Sequence, residues 1–189
     1  MKWSSRRIVT VLLLVAGLGT VVEAAWIPLK ARLAQTLLEH AWDRARGGEI
    51  GAKPWSWADT TPVAKLRIPS QTSEMIVLDG ASGRTLAFGP GHVNGTALPG
   101  AEGNSVLAGH RDTHFRVLEE VTRGDRLEID TLDGRTVAYV VTSVQIVMED
   151  EVGVLRQDDR RRLTLVTCYP FDAIRPGGPM RYVVVARAD

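Results

Sequence analysis

Cys168 is the only cysteine in the chain, and it ends the run Thr164-Leu165-Val166-Thr167-Cys168. A thiol attacks as its thiolate and needs a proton-transfer partner within hydrogen-bond reach. One thiol can form neither an internal disulfide nor a cysteine-rich zinc site. Four histidines are available: His40, His92, His110 and His114. His110 follows the apolar run Ser105-Val106-Leu107-Ala108-Gly109, so it too stands at a strand end, with Gly109 allowing close backbone approach. His114 would complete a metal pair on a helix. However, Arg111 stands where the zinc-protease pattern has glutamate, and no third ligand suggests itself. His92, in Gly89-Pro90-Gly91-His92, reads as a turn residue, and His40 as a solvated one. Arg181 opens a strand 13 residues after Cys168, a separation compatible with adjacent antiparallel strands meeting at one rim. A fixed cation there would stabilise charge developing on a carbonyl oxygen during thiolate attack. By itself, though, a lone cysteine is more often a small buried hydrophobe.

These residues need a rigid frame. From about residue 60 the hydrophobic period becomes strand-like, over 64–68, 74–78, 105–108, 126–131, 136–148, 163–167 and 181–186. Asp133-Gly134 marks a tight hairpin, 113–120 a brief helical piece, and 171–178 a loop after Pro170. Seven or eight short strands predict an all-β fold with minor α content, a single closed β-barrel without exposed edges. Period-2 alternation puts Thr164, Val166 and Cys168 on one face of their strand.

Ahead of the barrel lies a basic, apolar head. Residues 8–22 are uncharged, and the stretch up to Leu29 is interrupted only by Glu23. As a helix it is long enough to cross a hydrocarbon core of roughly 30 Å. Trp3 and Trp26 bracket it, and Lys2, Arg6 and Arg7 precede it, so a transmembrane helix with a cytoplasmic N-terminus is expected. Two other readings are a signal peptide cleaved after Ala24 and, from Arg6-Arg7, a twin-arginine signal. Over 29–46, Leu33, Leu37, Leu38, Ala41, Trp42 and Ala45 recur at helical spacing. This predicts an amphipathic helix opened by Pro28 and closed by Gly47-Gly48, its stripe lying either on the membrane or against the body. The expected organisation is therefore 1–28 tip and anchor, 29–59 amphipathic helix and extended linker, and 60–189 catalytic barrel. The 189 residues carry 23 Lys plus Arg against 22 Asp plus Glu, without the basic excess of a nucleic-acid binder.

Three motifs then occur in order: Ala108-Gly109-His110-Arg111-Asp112-Thr113-His114-Phe115, Thr164-Leu165-Val166-Thr167-Cys168, and an arginine opening a final strand. Together, and with Phe88-Gly89-Pro90-Gly91-His92 through Gly103-Asn104 ahead of them, they closely resemble sortases over about residues 62–187. The basic head, the helix over 29–46 and the stretch Lys53-Pro54-Trp55-Ser56-Trp57 resemble the Gram-negative, proteobacterial class GN sortases. The resemblance implies an eight-stranded barrel and cysteine transpeptidation of a C-terminal sorting signal. Carried over, Cys168 is the nucleophile, His110 the general acid/base and Arg181 the oxyanion and substrate holder. Thr167 is a candidate for binding the scissile peptide, and Asp112 for orienting His110. The implied partners are a substrate protein with an LPxTG-like signal, an amine acceptor and, through the N-terminal helix, the lipid bilayer. No metal or organic cofactor is called for. The implied location is the inner membrane, single-pass, with the barrel on the periplasmic side. A cysteine endopeptidase using water and a non-enzymatic barrel adaptor remain as alternatives.

Overall fold

The residues around position 28 are rich in Leu, Ala, Lys and Arg, all good helix formers, and they do not stop at the proline. Helix α1 spans Ser5–Arg46 without interruption, which corrects the expected start of a separate helix after Pro28. An interior proline removes one hydrogen bond of the ladder, and the turns on either side carry the helix through. The computed structural model describes residues 5–157, 159–175 and 177–188, and most side chains of 5–28 fall outside that description. The expected span 8–27 thus lies largely outside the described side chains. Among the described residues, no helix is long and apolar enough to cross a membrane.

The chain divides into two units, the first ending at Leu37 and the second beginning at Leu38. In the first, Lys30 stands 5.4 Å from the ring centre of Trp26. In the second, the last turns of α1 bury Leu38, Ala41 and Trp42, with Leu38 and Trp42 packed on Ile76 and Leu78. This part of the amphipathic stripe covers the barrel. His40, on the other side, is exposed as expected. Lys65 reinforces the seam, its Nζ lying 2.7 Å from Glu74, 3.3 Å from Glu39 and 5.9 Å from the ring centre of Trp42. The helix ends at Gly47-Gly48, where the Gly47 N–H donates to the Asp43 carbonyl and Gly48 takes φ 97°, a conformation glycine adopts without steric cost.

Eight strands follow: β1 (Pro62–Ile68), β2 (Ser73–Asp79), β3 (Gly91–His92), β4 (Asn104–Ala108), β5 (Arg126–Thr131), β6 (Thr136–Met148), β7 (Arg162–Tyr169) and β8 (Met180–Ala188). They close into a barrel in the order β1-β2-β3-β4-β7-β8-β6-β5. The β2–β3 and β4–β7 pairs are parallel, the others antiparallel. Alternation does the sorting: Leu66, Ile129, Tyr139, Leu163, Leu165 and Val184 meet inside, while their sequence neighbours face outward. The bounds of β5 and β6 coincide with those predicted. The helical piece is a 3-10 segment, His114–Glu120. The two-residue β3 is too short to show a period, and it corrects the reading of His92. That residue is a buried strand residue paired with Leu107, its Nε2 2.9 Å from the Ala97 carbonyl and 3.1 Å from Thr96 Oγ1.

The seam between helix and barrel carries a direct prediction. Replacing Trp42 by Ala removes a buried ring from the Ile76 and Leu78 contact and leaves Lys65 without its aromatic neighbour. The loss should be about 3–5 kcal/mol, read as a lowered urea midpoint of cooperative unfolding, whereas the exposed His40→Ala should shift it little.

Candidate active site

The parallel pairing of β4 with β7 sets Asn104 opposite Arg162 and Ala108 opposite Val166. The bonding continues past the strand end. The Gly109 N–H donates to the Val166 carbonyl at 3.1 Å, and Thr167 Oγ1 donates to the Gly109 carbonyl at 2.7 Å. His110 and Cys168 are the next residues along the two chains. On the other flank, antiparallel β8 pairs Arg181 with Cys168. Three adjacent strands thus bring an imidazole, a thiol and a guanidinium to one rim, although 58 residues separate His110 from Cys168.

Side-chain direction follows from the same alternation. Leu163 and Leu165 enter the core, and Thr167 is buried with them. The hydroxyl of Thr167 donates to the Gly109 carbonyl and so holds the backbone that carries His110. Cys168 lies on the opposite face, unpaired and half-buried, and His110 is exposed. Such a thiol is open to an incoming carbonyl. Asp112 points elsewhere than expected: its Oδ1 accepts from Arg111 Nε at 3.2 Å.

Arg181 is held by three acceptors. Its Nη1 donates to the carbonyls of Gly178 at 2.6 Å and Met180 at 3.0 Å, and its Nη2 to Glu149 Oε2 at 2.7 Å. Glu149 follows β6 directly and was not legible beforehand, since nothing local marks a glutamate as the partner of an arginine 32 residues away.

On the outer face of β6, β7 and β8 runs a groove of about 370 Å³, floored by Gln145, Val147, Thr164, Val183 and Val185 and walled by Gly153 and Val154. Its floor follows the register, since the row containing Val147 is the row of Arg181 and Cys168. The wall belongs to the β6–β7 connection, which hangs from Asn104. The buried Asn104 Nδ2 donates to the carbonyls of Val154 at 2.9 Å and Arg156 at 3.3 Å, and its Oδ1 accepts from Thr164 Oγ1 at 2.7 Å.

A sortase domain family model matches residues 66–189 of the chain. The chain belongs to the sortase family. It is 32% identical over 123 residues to sortase D of Bacillus subtilis, a match covering 65% of this chain and 61% of that one. The chain therefore spans less than two thirds of that relative's length. Among solved structures, a sortase D5 transpeptidase from Clostridium perfringens aligns at TM-score 0.60 and 28% identity, covering 68% of this chain and 79% of that chain. Sortase C-1 of Actinomyces oris aligns at 0.62 and 32%, covering 69% and 76%. These relatives are Gram-positive sortases.

One titratable group of this sortase reports on the rim. Burial, and then the charge of neighbouring His110, hold His114 below its ordinary value of 6.5. The fold thus favours neutral His114, and the unfolded chain binds the extra proton first. Its contribution to stability is complete above about pH 6.5 and declines as pH falls through the lower folded-state value. In His114→Gln the drop in urea midpoint between about pH 7.5 and about pH 5 should be smaller than in the parent protein. An equal drop would mean that the rim exerts no pressure on this imidazole.

Proposed function

We propose that this protein is a cysteine transpeptidase that cleaves a C-terminal sorting signal and passes the acyl part to an amine. The observation that supports the reading is the pairing of Cys168 with Arg181 on β7 and β8, with His110 just past the end of β4 on the other flank of β7. Cys168 attacks the scissile carbonyl, His110 gives its proton to the departing amine, and the acyl group remains on sulfur as a thioester. The incoming amine then attacks the thioester and loses a proton to His110, and the sulfur of Cys168 leaves as the thiolate. Arg181, braced by Glu149, offers fixed positive charge to the oxyanion formed in each step.

The half-exposure of Cys168 argues against a buried, inert thiol and so against a mere adaptor. For the substrate segment, an LPxTG-like pentapeptide is the family's expectation. The N-terminal stretch supports attachment to the inner membrane through residues 8–27, with the barrel on the periplasmic side, and the head sequence supports the class GN assignment. A mature N-terminus at Ala25, found by sequencing the protein from membranes, would remove the anchor.

Incubation with a sorting-peptide library and a small amine should give a thioester adduct on Cys168, visible by mass spectrometry, and an amide product. Release of free acid alone would make the enzyme an endopeptidase, and absence of any adduct would sink the reading. Arg181→Lys keeps the charge but loses the planar fork. Its turnover should fall by a factor on the order of 10² to 10³, while its melting temperature and alkylation of Cys168 by a small reagent stay near those of the parent.

A further inference from the structure

Arg111, next to His110, is 2% exposed and among the bulkiest fully buried side chains. Arginine is almost never fully buried unless paired, and its ion-pair partner here, Asp112, is itself 61% exposed. The guanidinium is instead spent on main chain: Nη2 donates to the carbonyls of Ala173 at 3.1 Å and Arg175 at 2.6 Å. Both carbonyls lie in the β7–β8 connection, which starts just after Cys168 and leads to Arg181. Arg116, from the same His110 segment, adds a second tie, its Nη1 donating to the Phe171 carbonyl at 2.8 Å.

The segment doing the gripping is itself immobilised. The Phe115 N–H donates to the His110 carbonyl at 3.0 Å, and Phe115 packs so closely on Gly109 that a Cβ there would meet its ring at 2.7 Å. A buried cation tied to loop carbonyls is a costly way merely to secure a loop, because desolvation of the charge must be repaid by good geometry. The cost is higher because Nη1 is buried without a partner, and a buried donor left unsatisfied is destabilising. What the arrangement does achieve is a fixed link between the acid/base segment and the connection joining the thiol to the arginine.

We infer that Arg111 is a positioning residue, the strut that fixes the distance between His110 and Cys168 by clamping the β7–β8 connection to the His110 turn. Its contacts are with carbonyls of the connection, so its removal alters alignment without removing a reacting group. Thioacyl formation then slows while substrate binding is unchanged. The inference rests on the transpeptidase reading for its kinetic arm only.

The test uses the full chain with two substitutions. Arg111→Lys keeps the charge and loses the fork that grips two carbonyls. Arg116→Ala removes the second tie from a side chain that is 53% exposed, so folding is preserved. For Arg111→Lys, kcat should fall by about 10- to 100-fold with KM within about two-fold, because misalignment of a reacting pair acts on the chemical step. Arg116→Ala should lose several-fold in the same direction. In both, amide hydrogen exchange over 171–175 should quicken. The pH profile of Cys168 alkylation by iodoacetamide should also move, since the influence of the imidazole on the thiol depends on their separation. That arm needs no substrate, so it stands even where the parent protein turns over no sorting peptide and the transpeptidase reading fails. Parent-like kcat and an unmoved alkylation profile in the folded variants would overturn the strut. Should Arg111→Lys not fold, the same two readouts on Arg116→Ala decide.

Discussion

The parallel hydrogen-bonding of β4 to β7 is the constraint on which the site depends. Parallel neighbours cannot be joined by a tight turn, and here the path between them includes β5 and β6 before the chain returns. What this long path achieves is that both strands run in one direction, so that the residues just beyond Ala108 and just before Tyr169 reach the same rim together. Backbone register is far stiffer than side-chain rotation, so the spacing of imidazole and thiol is inherited from the ladder. Thr167 extends that ladder by one bond when its hydroxyl takes up the Gly109 carbonyl.

Around this pair the two long connections are secured by polar means. Apolar burial contributes at one point only of the β7–β8 connection, where Phe171 enters the core beside Tyr169 and Tyr182. Asn104 suspends the β6–β7 connection over the groove, and Arg111 with Arg116 draws the β7–β8 connection toward His110. Both devices satisfy main-chain carbonyls that a loop would otherwise leave to water. Glu149 does the same for a side chain, converting Arg181 from a mobile surface cation into one of fixed direction. A fixed cation stabilises charge without reorganising as the charge appears.

The end of α1 has a different task. Its Leu38 and Trp42 shield Ile76 and Leu78 on the outside of β2, so the barrel is apolar on both faces at that point. Lys65, seated between Glu39, Glu74 and the Trp42 ring, closes the seam with charge where the apolar stripe ends.

Local pattern alone determined much of this. Strand-type composition bounded by turn residues marked β5 and β6 to the residue, and in β5 and the first half of β6 burial alternates as that pattern requires. The thiol, the imidazole and the arginine stood out because each borders a strand and because their order matches a known family. What only the tertiary structure decided are contacts that leave no periodic trace. β3 is a strand because β2 and β4 flank it, and its two residues have no period of their own. His92 is buried for that reason. That the Thr167 hydroxyl meets the Gly109 carbonyl likewise follows only from the strand pairing. Arg111 and Glu149 carry ordinary surface-type side chains, and only the closure of the barrel places carbonyls or a guanidinium before them. Period and motif belong to the chain, whereas the partner of a buried charge is chosen by packing between segments far apart in sequence.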